Sequence, residues 1–339
     1  REGTMQTRTP GTNPPPPPDD RGDPVDALEA AADTLEAQGL PERALELRLR
    51  RIDPLLAHAP ANRRAVHAGR IADLLTRLGE VDEAIRMRRE VELPLWAEAG
   101  DPRGQADTLA TLVTLLERTA PAQALAMTPD RLRAATLLRE PDRIARGHLR
   151  AARLHLAVGD PPSARRECEA ALQRVAPRDR RVRAALFDRL ADAHRAAGDI
   201  AAALLVREAH ELPLRRRLGD PLALAVTLAQ IAEAAFLSGA RDEAINRFAE
   251  AALPLFERVG DERELAIARG NLALMLLDRD AEGDRERARH LLALAGDAAT
   301  RMRLSHAREL RRVQAECGWE ADADPPARSG APPVHIFEN

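Results

Sequence analysis

The amino-acid sequence predicts an all-α array of paired helices, and three observations support this fold class. Hydrophobic residues make up 45% of the 339 residues but aromatic residues only 2%, so aliphatic side chains must form the core. A Gly-to-Ala spacing recurs along the chain at intervals of 39 to 44 residues. Between these positions the apolar residues follow helical periodicity. Together these features are typical of a repeat protein, in which each helix pair packs on its neighbours.

The recurring unit is a helix end, a tight turn, and an alanine five residues after the turn. The turn residue is glycine in six units and Thr119 in the remaining one. Alanine is kept in all seven units, as expected where two helices cross closely, because its small side chain lets the backbones approach. The turn and alanine positions are Gly39/Ala44, Gly79/Ala84, Thr119/Ala124, Gly159/Ala164, Gly198/Ala203, Gly239/Ala244 and Gly283/Ala288.

A second set of turns separates the units. Gly219-Asp220-Pro221 combines a residue suited to a left-handed helix end, a helix N-cap and a residue that fits the first helical position. Gly100-Asp101-Pro102 and Gly260-Asp261 repeat this pattern. A proline also follows four of the alanines by ten residues, where it should kink or end the second helix. These prolines are Pro54, Pro94, Pro213 and Pro254.

The unit resembles the tetratricopeptide repeat (TPR), whose signature has a small residue in its first helix, a Gly turn, and Ala in its second helix. We call these helices A and B. The period near 40 residues is similar to the long-repeat variants of kinesin light chains and bacterial multidomain proteins, although the family's Trp and Tyr in helix A are missing. The resemblance implies an α-α superhelix, a TPR-like solenoid of seven helix-turn-helix repeats with a C-terminal capping helix. The resemblance rests on residue pairs that occupy the position of the family's Leu-Gly pair. These are Ile71-Ala72, Leu190-Ala191, Ile231-Ala232 and Leu272-Ala273.

Composition divides the chain into three segments. Residues 1–23 contain a five-proline run and predict a disordered Pro-rich segment. Residues 24–317 form the predicted solenoid, with the capping helix at 298–317. Residues 318–339 predict a disordered tail, in which the apolar residues 334–337 either dock into a groove or belong to the disordered end. Because Met5 follows a non-Met start, either translation begins there or the chain is a piece of a longer polypeptide.

The composition argues against several classes of function. The net charge of −3 gives no electrostatic reason to expect nucleic acid or membrane as a partner. No phosphate-binding glycine loop and no catalytic motif is found, so the sequence predicts a protein that is not an enzyme and needs no cofactor. Two widely spaced cysteines indicate a reducing compartment, and we expect a cytoplasmic location. All 51 basic residues are arginine, which favours a GC-rich bacterial source.

Histidines occur in the fourth and fifth repeats, and two interpretations are open. His155 and His194 occupy equivalent positions in successive A helices, and Cys168 lies on the helix paired with the first of them. A His/Cys metal site is one interpretation. Packing residues in the vacated Tyr positions are the other, and the absence of HxxxH and CxxC spacing favours it.

The resemblance implies that the A helices line a concave groove that binds a peptide or a partner helix. The residue before each Leu-Ala-type pair should face this groove, and an asparagine there, as in Gly270-Asn271-Leu272-Ala273, resembles the one that holds a peptide backbone in peptide-binding members. Our candidate ligand-binding residues come from this row, from the next one along the groove and, for Arg146, from an arginine stripe of the fourth repeat. They are Arg70, Arg146, Arg150, Arg153, Arg189, Asp192, Gln230, Glu233 and Asn271.

Arg146, Arg150 and Arg153 form a stripe on one helix face, within a stretch, residues 143–159, that contains no acid. Converging guanidinium groups suit a carboxylate or phosphate, although a solvated Arg face is the alternative. The sequence therefore predicts a non-catalytic protein–protein interaction scaffold or adaptor whose protein or peptide partner carries an acidic group. The other prediction is a sensor or autoinhibitory TPR region of a larger bacterial effector, such as a kinase, protease or nucleotide-switch ATPase.

Overall fold

A computed structural model describes residues 23–319, and every regular element within them is a helix. The predicted Pro-rich segment and the predicted tail, including the apolar residues 334–337, lie outside the described residues except for Asp23, Gly318 and Trp319. None of the described helices is both long enough and apolar enough to span a membrane. The chain divides into two compact units, Arg1–Leu115 and Leu116–Asn339.

The first unit holds the first two repeats and helix A of the third. Within repeats 1 and 2, helix B contains a π-helical turn, at Arg48–Ile52 and at Arg88–Glu92. The helices are α1 (Pro24–Ala37), α2 (Pro41–Leu47), α3 (Asp53–Leu56), α4 (Ala61–Leu78), α5 (Val81–Met87), α6 (Leu93–Glu98) and α7 (Pro102–Leu116), the last of which ends at the unit boundary.

The second unit holds the remaining repeat helices and α20, the predicted capping helix. Two more π-helical turns occur here, at Arg207–Glu211 and Phe248–Ala252. The capping helix starts later than residue 298, because α19 continues through Arg301. The helices are α8 (Pro121–Ala126), α9 (Thr128–Leu137), α10 (Pro141–Ala157), α11 (Pro161–Leu172), α12 (Arg180–Ala196), α13 (Ile200–Val206), α14 (Leu212–Leu218), α15 (Pro221–Leu237), α16 (Arg241–Arg247), α17 (Leu253–Val259), α18 (Glu262–Arg279), α19 (Asp284–Arg301) and α20 (Ala307–Glu316).

The repeated alanine forms the contact between helices A and B. All seven of these alanines are at most 1% exposed, which confirms the prediction from their spacing. The turns between repeats are also as predicted: Gly219 is left-handed with φ 69°, and the Asp220 carboxylate caps α15 by accepting from the Ala223 N–H at 3.1 Å. The largest core cluster of the second unit runs from α15 to α20 and contains Phe236, Phe248, Phe256, Met275 and Leu292.

Of the two outcomes expected at the four prolines of helix B, a kink or an end of the helix, the end does not occur. Each interrupts the α-helical bonding, but the helix continues beyond it, because a π-helical turn precedes the proline by two residues. An α-helix would place the proline ring against the carbonyl four residues earlier, and the wider turn avoids that clash. Across the described repeats, π-helical turns occur in the four with this proline and in none of the three without it.

The close A–B contact makes a stability prediction possible on α13. Ala203 is 1% exposed, whereas Ala201, two residues earlier on the same helix, is exposed. Ala203→Leu should lower the free energy of unfolding by about 1–3 kcal/mol, because the added methylenes overpack the contact. Ala201→Leu is the matched control and should change it by less than about 0.5 kcal/mol. Urea unfolding measures both, and equal effects would show that the helix pairing is wrongly assigned.

His67 is a buried histidine at the centre of the first unit. It lies on α4, is 2% exposed, and neither ring nitrogen has a hydrogen-bond partner. Burial lowers the pKa of His67; the Asp53 carboxylate, 3.7 Å from Nε2, partly offsets this effect, and the Arg48 guanidinium adds to it. The folded protein therefore holds this imidazole in its neutral form.

We expect His67 to make the protein less stable in mild acid. In the unfolded chain the imidazole binds a proton below its ordinary pKa of 6.5, whereas the folded state resists protonation. Stability should thus be complete above about pH 6.5 and should fall as the pH drops below it. His67→Gln should flatten this dependence, and the exposed His58→Gln should leave it unchanged. Denaturant unfolding between about pH 5 and pH 8 measures the slope, and an unaltered slope in His67→Gln would contradict the assignment.

Candidate functional site

A recess lies on the second unit between α12, α15 and α18, the A helices of repeats 5, 6 and 7. Its volume is about 200 Å³, less than the ~300–1,000 Å³ typical of small-molecule pockets. Hydrogen-bonding side chains and apolar side chains both contribute to its walls. Its polar lining is Asp188, Arg189, Asp192, Arg195, Arg207, Gln230, Glu233, Glu264 and Asn271. Its apolar lining is Ala203, Val226, Ala229, Ala234, Leu237, Phe248, Phe256, Ile267 and Ala268.

Five of the nine candidate residues line this recess. Arg189, Gln230 and Asn271 come from the row before the Leu-Ala-type pair, and Asp192 and Glu233 come from the next row. They meet because residues at the same register of successive A helices share one face of a helical repeat. The repeat spacing alone was therefore enough to group these five side chains.

The other four candidates lie elsewhere. Arg70 belongs to the first unit, where its Nη1 is 3.3 Å from Glu29 Oε2. Arg150 and Arg153 both form ion pairs with Glu117, just beyond the end of α7, and Arg146 is exposed. The stretch 143–159 contains no acid, but the preceding repeat supplies one. The arginine stripe is consequently neutralised in part, which the local sequence did not indicate.

A buried guanidinium, itself part of the polar lining, connects the helices that form the recess. Arg207, the first residue of its π-helical turn, is 2% exposed. It donates hydrogen bonds to Asp188 at 2.9 Å, Asp192 at 2.6 Å, Glu211 at 2.9 Å and the Gln230 side-chain oxygen at 2.8 Å. One side chain thus links α12, its own helix and α15.

The acids around Arg207 have further partners. Arg189 lies 2.8 Å from both Asp188 and Asp192. Burial raises the pKa of Asp188, but the guanidinium groups of Arg189 and Arg207 outweigh it and hold that pKa below its usual value. Burial and the neighbouring Asp188 charge raise the pKa of Asp192. Asp188 is therefore the carboxylate most firmly held in its charged form.

Glu211 extends the network to the next repeat. Its carboxylate is fully buried and accepts hydrogen bonds from Arg215 Nε at 3.0 Å and from the Thr227 hydroxyl of α15 at 2.8 Å. Burial, with the nearby Asp188 charge, raises the pKa of Glu211. Helix B of repeat 5 is thereby hydrogen-bonded through buried polar groups to α12 of its own repeat and to α15 of the next.

The same arrangement occurs independently in the first unit. Arg88 pairs with Asp73 of α4 and, at 2.8 Å, with Glu92, and Glu92 accepts from the Thr108 hydroxyl of α7 at 2.7 Å. The helical periodicity does not indicate this network. The signal that could have revealed it is Arg-x-x-x-Glu-Leu-Pro-Leu, present at residues 88–95 and 207–214.

Repeat 6 replaces the network with apolar residues. Phe248 and Ala252, both fully buried, occupy the places of the arginine and glutamate in its π-helical turn. Glu233, at the register of Asp192, accepts instead from Asn271 Nδ2 of α18 at 2.8 Å. The polar network therefore ends at repeat 6, and Phe248 contributes to the apolar lining of the recess.

The histidines of repeats 4 and 5 each have a local contact. His155 Nδ1 is 3.3 Å from Asp160 and His194 Nδ1 is 3.6 Å from Asp199, next to the turn that follows each helix. Cys168 is fully buried, and burial raises the pKa of its thiol to about 12. Among residues 23–319, no group of three or more His, Cys, Asp or Glu side chains is arranged to hold a metal ion.

Removal of the buried guanidinium should destabilise the protein strongly. Arg207→Met leaves buried carboxylates without their shared cation, so we expect the free energy of unfolding to fall by about 3–5 kcal/mol. Arg217→Met, an exposed site on the same helix, is the control and should change it by less than about 0.5 kcal/mol. Chemical denaturation measures both variants, and a small effect at Arg207 would mean that water already solvates the network.

The comparisons with known proteins concern the fold. No protein-family model and no curated protein matches the sequence. BtubC (BKLC) from P. vanneervenii is 17% identical with a TM-score of 0.52, over 81% of this chain and 98% of that one. A tetratricopeptide repeat protein from Parabacteroides merdae ATCC 43184 is 15% identical with a TM-score of 0.54, over 85% and 97%. A Rap protein complexed with Competence and Sporulation Factor is 13% identical with a TM-score of 0.50, over 85% and 96%. With these neighbours and its helix-only repeats, the chain has the TPR-like helical repeat fold.

Proposed function

We propose that this chain is a non-catalytic interaction module that binds a peptide or a partner helix in the recess between α12, α15 and α18. The observation that carries the proposal is the convergence of hydrogen-bonding side chains from three successive A helices around an apolar lining. Binding sites generally combine an apolar surface with a few well-placed polar groups that orient the ligand. The volume of about 200 Å³ suits side chains of a peptide better than an enclosed metabolite.

The buried network favours binding because it fixes side chains before a ligand arrives. Arg207 holds the Gln230 side-chain oxygen, which leaves the amide NH₂ of Gln230 to donate to a ligand. Arg189 is held between two carboxylates. Side chains that are already ordered lose less conformational entropy on binding. The recess offers both guanidinium and carboxylate groups, so it suits the mixed donors and acceptors of a peptide.

A structural neighbour supports complex formation by this fold. The Rap protein described above was solved in complex with Competence and Sporulation Factor. At 13% identity the likeness concerns the fold, and the residues of the recess are this chain's own. A cytoplasmic location and an acidic group on the partner remain predictions from the sequence.

A peptide selection tests the proposed function. Peptides are selected from a displayed random library against the full chain, and their affinities are measured by fluorescence anisotropy. Leu237→Ala removes an exposed apolar side chain of the recess and should weaken binding about tenfold or more, because burying a leucine contributes about 1.5–3 kcal/mol.

Leu205→Ala provides the matched control. Leu205 is also an exposed leucine, but it lies on α13 outside the recess, so its removal should leave the affinity unchanged. A library that yields only peptides with equal affinity for the two variants would contradict the proposal.

A further inference from the structure

Arg131 differs from the other buried arginines of the described chain. It lies on α9, is 9% exposed, and its Nε and Nη1 atoms are buried without a hydrogen-bond partner. Arg48, Arg88 and Arg207 are also buried, but each pairs with at least one carboxylate. Among residues 23–319 no carboxylate pairs with Arg131. A buried charge without a counterion is costly, so this position is suited to an anion from outside the chain.

The packing of α9 on α10 places Arg131 beside further arginines. The Leu132 side chain lies so close to Gly147 of α10 that a Cβ atom at position 147 would be 2.6 Å from Leu132 Cδ2. Arg143, Arg146 and Arg150 flank Gly147 on one face of α10. Burial lowers the pKa of Arg131, and the charges of Arg150, Arg143 and Arg146 lower it further.

The charges of this region do not balance. We define the arginine cluster as Arg131, Arg143, Arg146, Arg150 and Arg153. Arg143 pairs with Glu140 at 2.6 Å, and Arg150 and Arg153 share Glu117. Arg131 and Arg146 have no partner in the described chain. Two of the five guanidinium groups in the cluster are therefore left without a carboxylate partner among residues 23–319.

We propose that the arginine cluster binds a phosphoryl dianion between Arg131 and Arg146, next to Arg150. A phosphate group carries a charge of about −1.5 to −2 and three acceptor oxygens, which matches two unpaired guanidinium groups. A carboxylate carries one charge and would leave one of them unpaired. Planar guanidinium groups also match phosphate oxygens in pairs. The site lies outside the recess between α12, α15 and α18, so it stands independently of the proposed function.

Inorganic phosphate is the first probe. Thermal unfolding of the full chain is followed with increasing phosphate, against sodium chloride and sodium acetate at matched ionic strength. Phosphate should raise the unfolding temperature more than either salt, because a ligand that binds the folded state stabilises it. Arg146→Ala should weaken phosphate binding about ten- to hundredfold, as expected for loss of a charge-assisted bond. Arg165→Ala, an exposed arginine of α11 outside the cluster, should bind as the wild type does.

Arg131→Met separates binding from packing. Methionine has a similar length without the charge, so this variant should be at least as stable as the wild type in phosphate-free buffer. It should also lose the response to phosphate. Should it fail to fold, the exposed Arg146 decides the question on its own. A wild type that responds equally to phosphate and chloride would overturn the proposal, and so would an unaltered response in Arg146→Ala.

A second arm identifies the source of the phosphoryl group. A short capped peptide with phosphoserine is compared with its serine counterpart and with inorganic phosphate. Tighter binding of the phosphopeptide than of inorganic phosphate assigns the site to a phosphorylated side chain, whereas equal binding assigns it to free phosphate. Binding of the serine peptide as tight as that of the phosphopeptide would overturn the role of the phosphoryl group.

Discussion

A buried arginine at the start of a π-helical turn joins three successive helices in each unit of this chain. In the first unit Arg88 pairs with Asp73 of the preceding A helix, and its partner Glu92 accepts from Thr108 of the following one. Arg207, Glu211 and Thr227 repeat the arrangement in the second unit. Leaving any of these buried charges unpaired would be costly, so the contacts restrict how the helices can slide past one another.

The π-helical turn accompanies the proline in all four of these repeats, and its first position is where the buried arginine lies. The proline cannot follow an ordinary α-helical turn without a clash, and the wider turn that removes the clash begins with a buried arginine in the first, second and fifth repeats. In repeat 6 the same turn contains Phe248 and Ala252, so the backbone geometry does not require the charge. Phe248, in the place of the arginine, presents an apolar side chain instead of a charge. The recess forms at this change, with Phe248 in its lining.

Much of the fold could be predicted from periodicity, because glycine turns and buried alanines are local signals that recur in every repeat. Five candidate residues, from Arg189 to Asn271, could be grouped for the same reason. The ion pair between Arg150 and Glu117 could not be predicted, because the acid comes from another repeat and no local sequence pattern indicates it. The lack of a counterion for Arg131 could not be predicted either, since it depends on which side chains α10 places next to α9. Charge balance in a repeat protein is a property of neighbouring repeats, whereas helix formation is a property of each one.

The hydrogen bond that a threonine donates to the buried glutamate of the preceding repeat has a consequence for repeat number. Repeat proteins commonly change length by duplication or loss of single repeats, since each repeat contacts only its neighbours. Here Glu92 and Glu211 each require a hydroxyl from the next repeat, and only Thr108 and Thr227 provide it. Removal of the repeat that begins with α7 or α15 would leave a buried carboxylate facing an unsuitable neighbour. Loss of either repeat would therefore cost a buried hydrogen bond, which disfavours a change of repeat number at these two junctions.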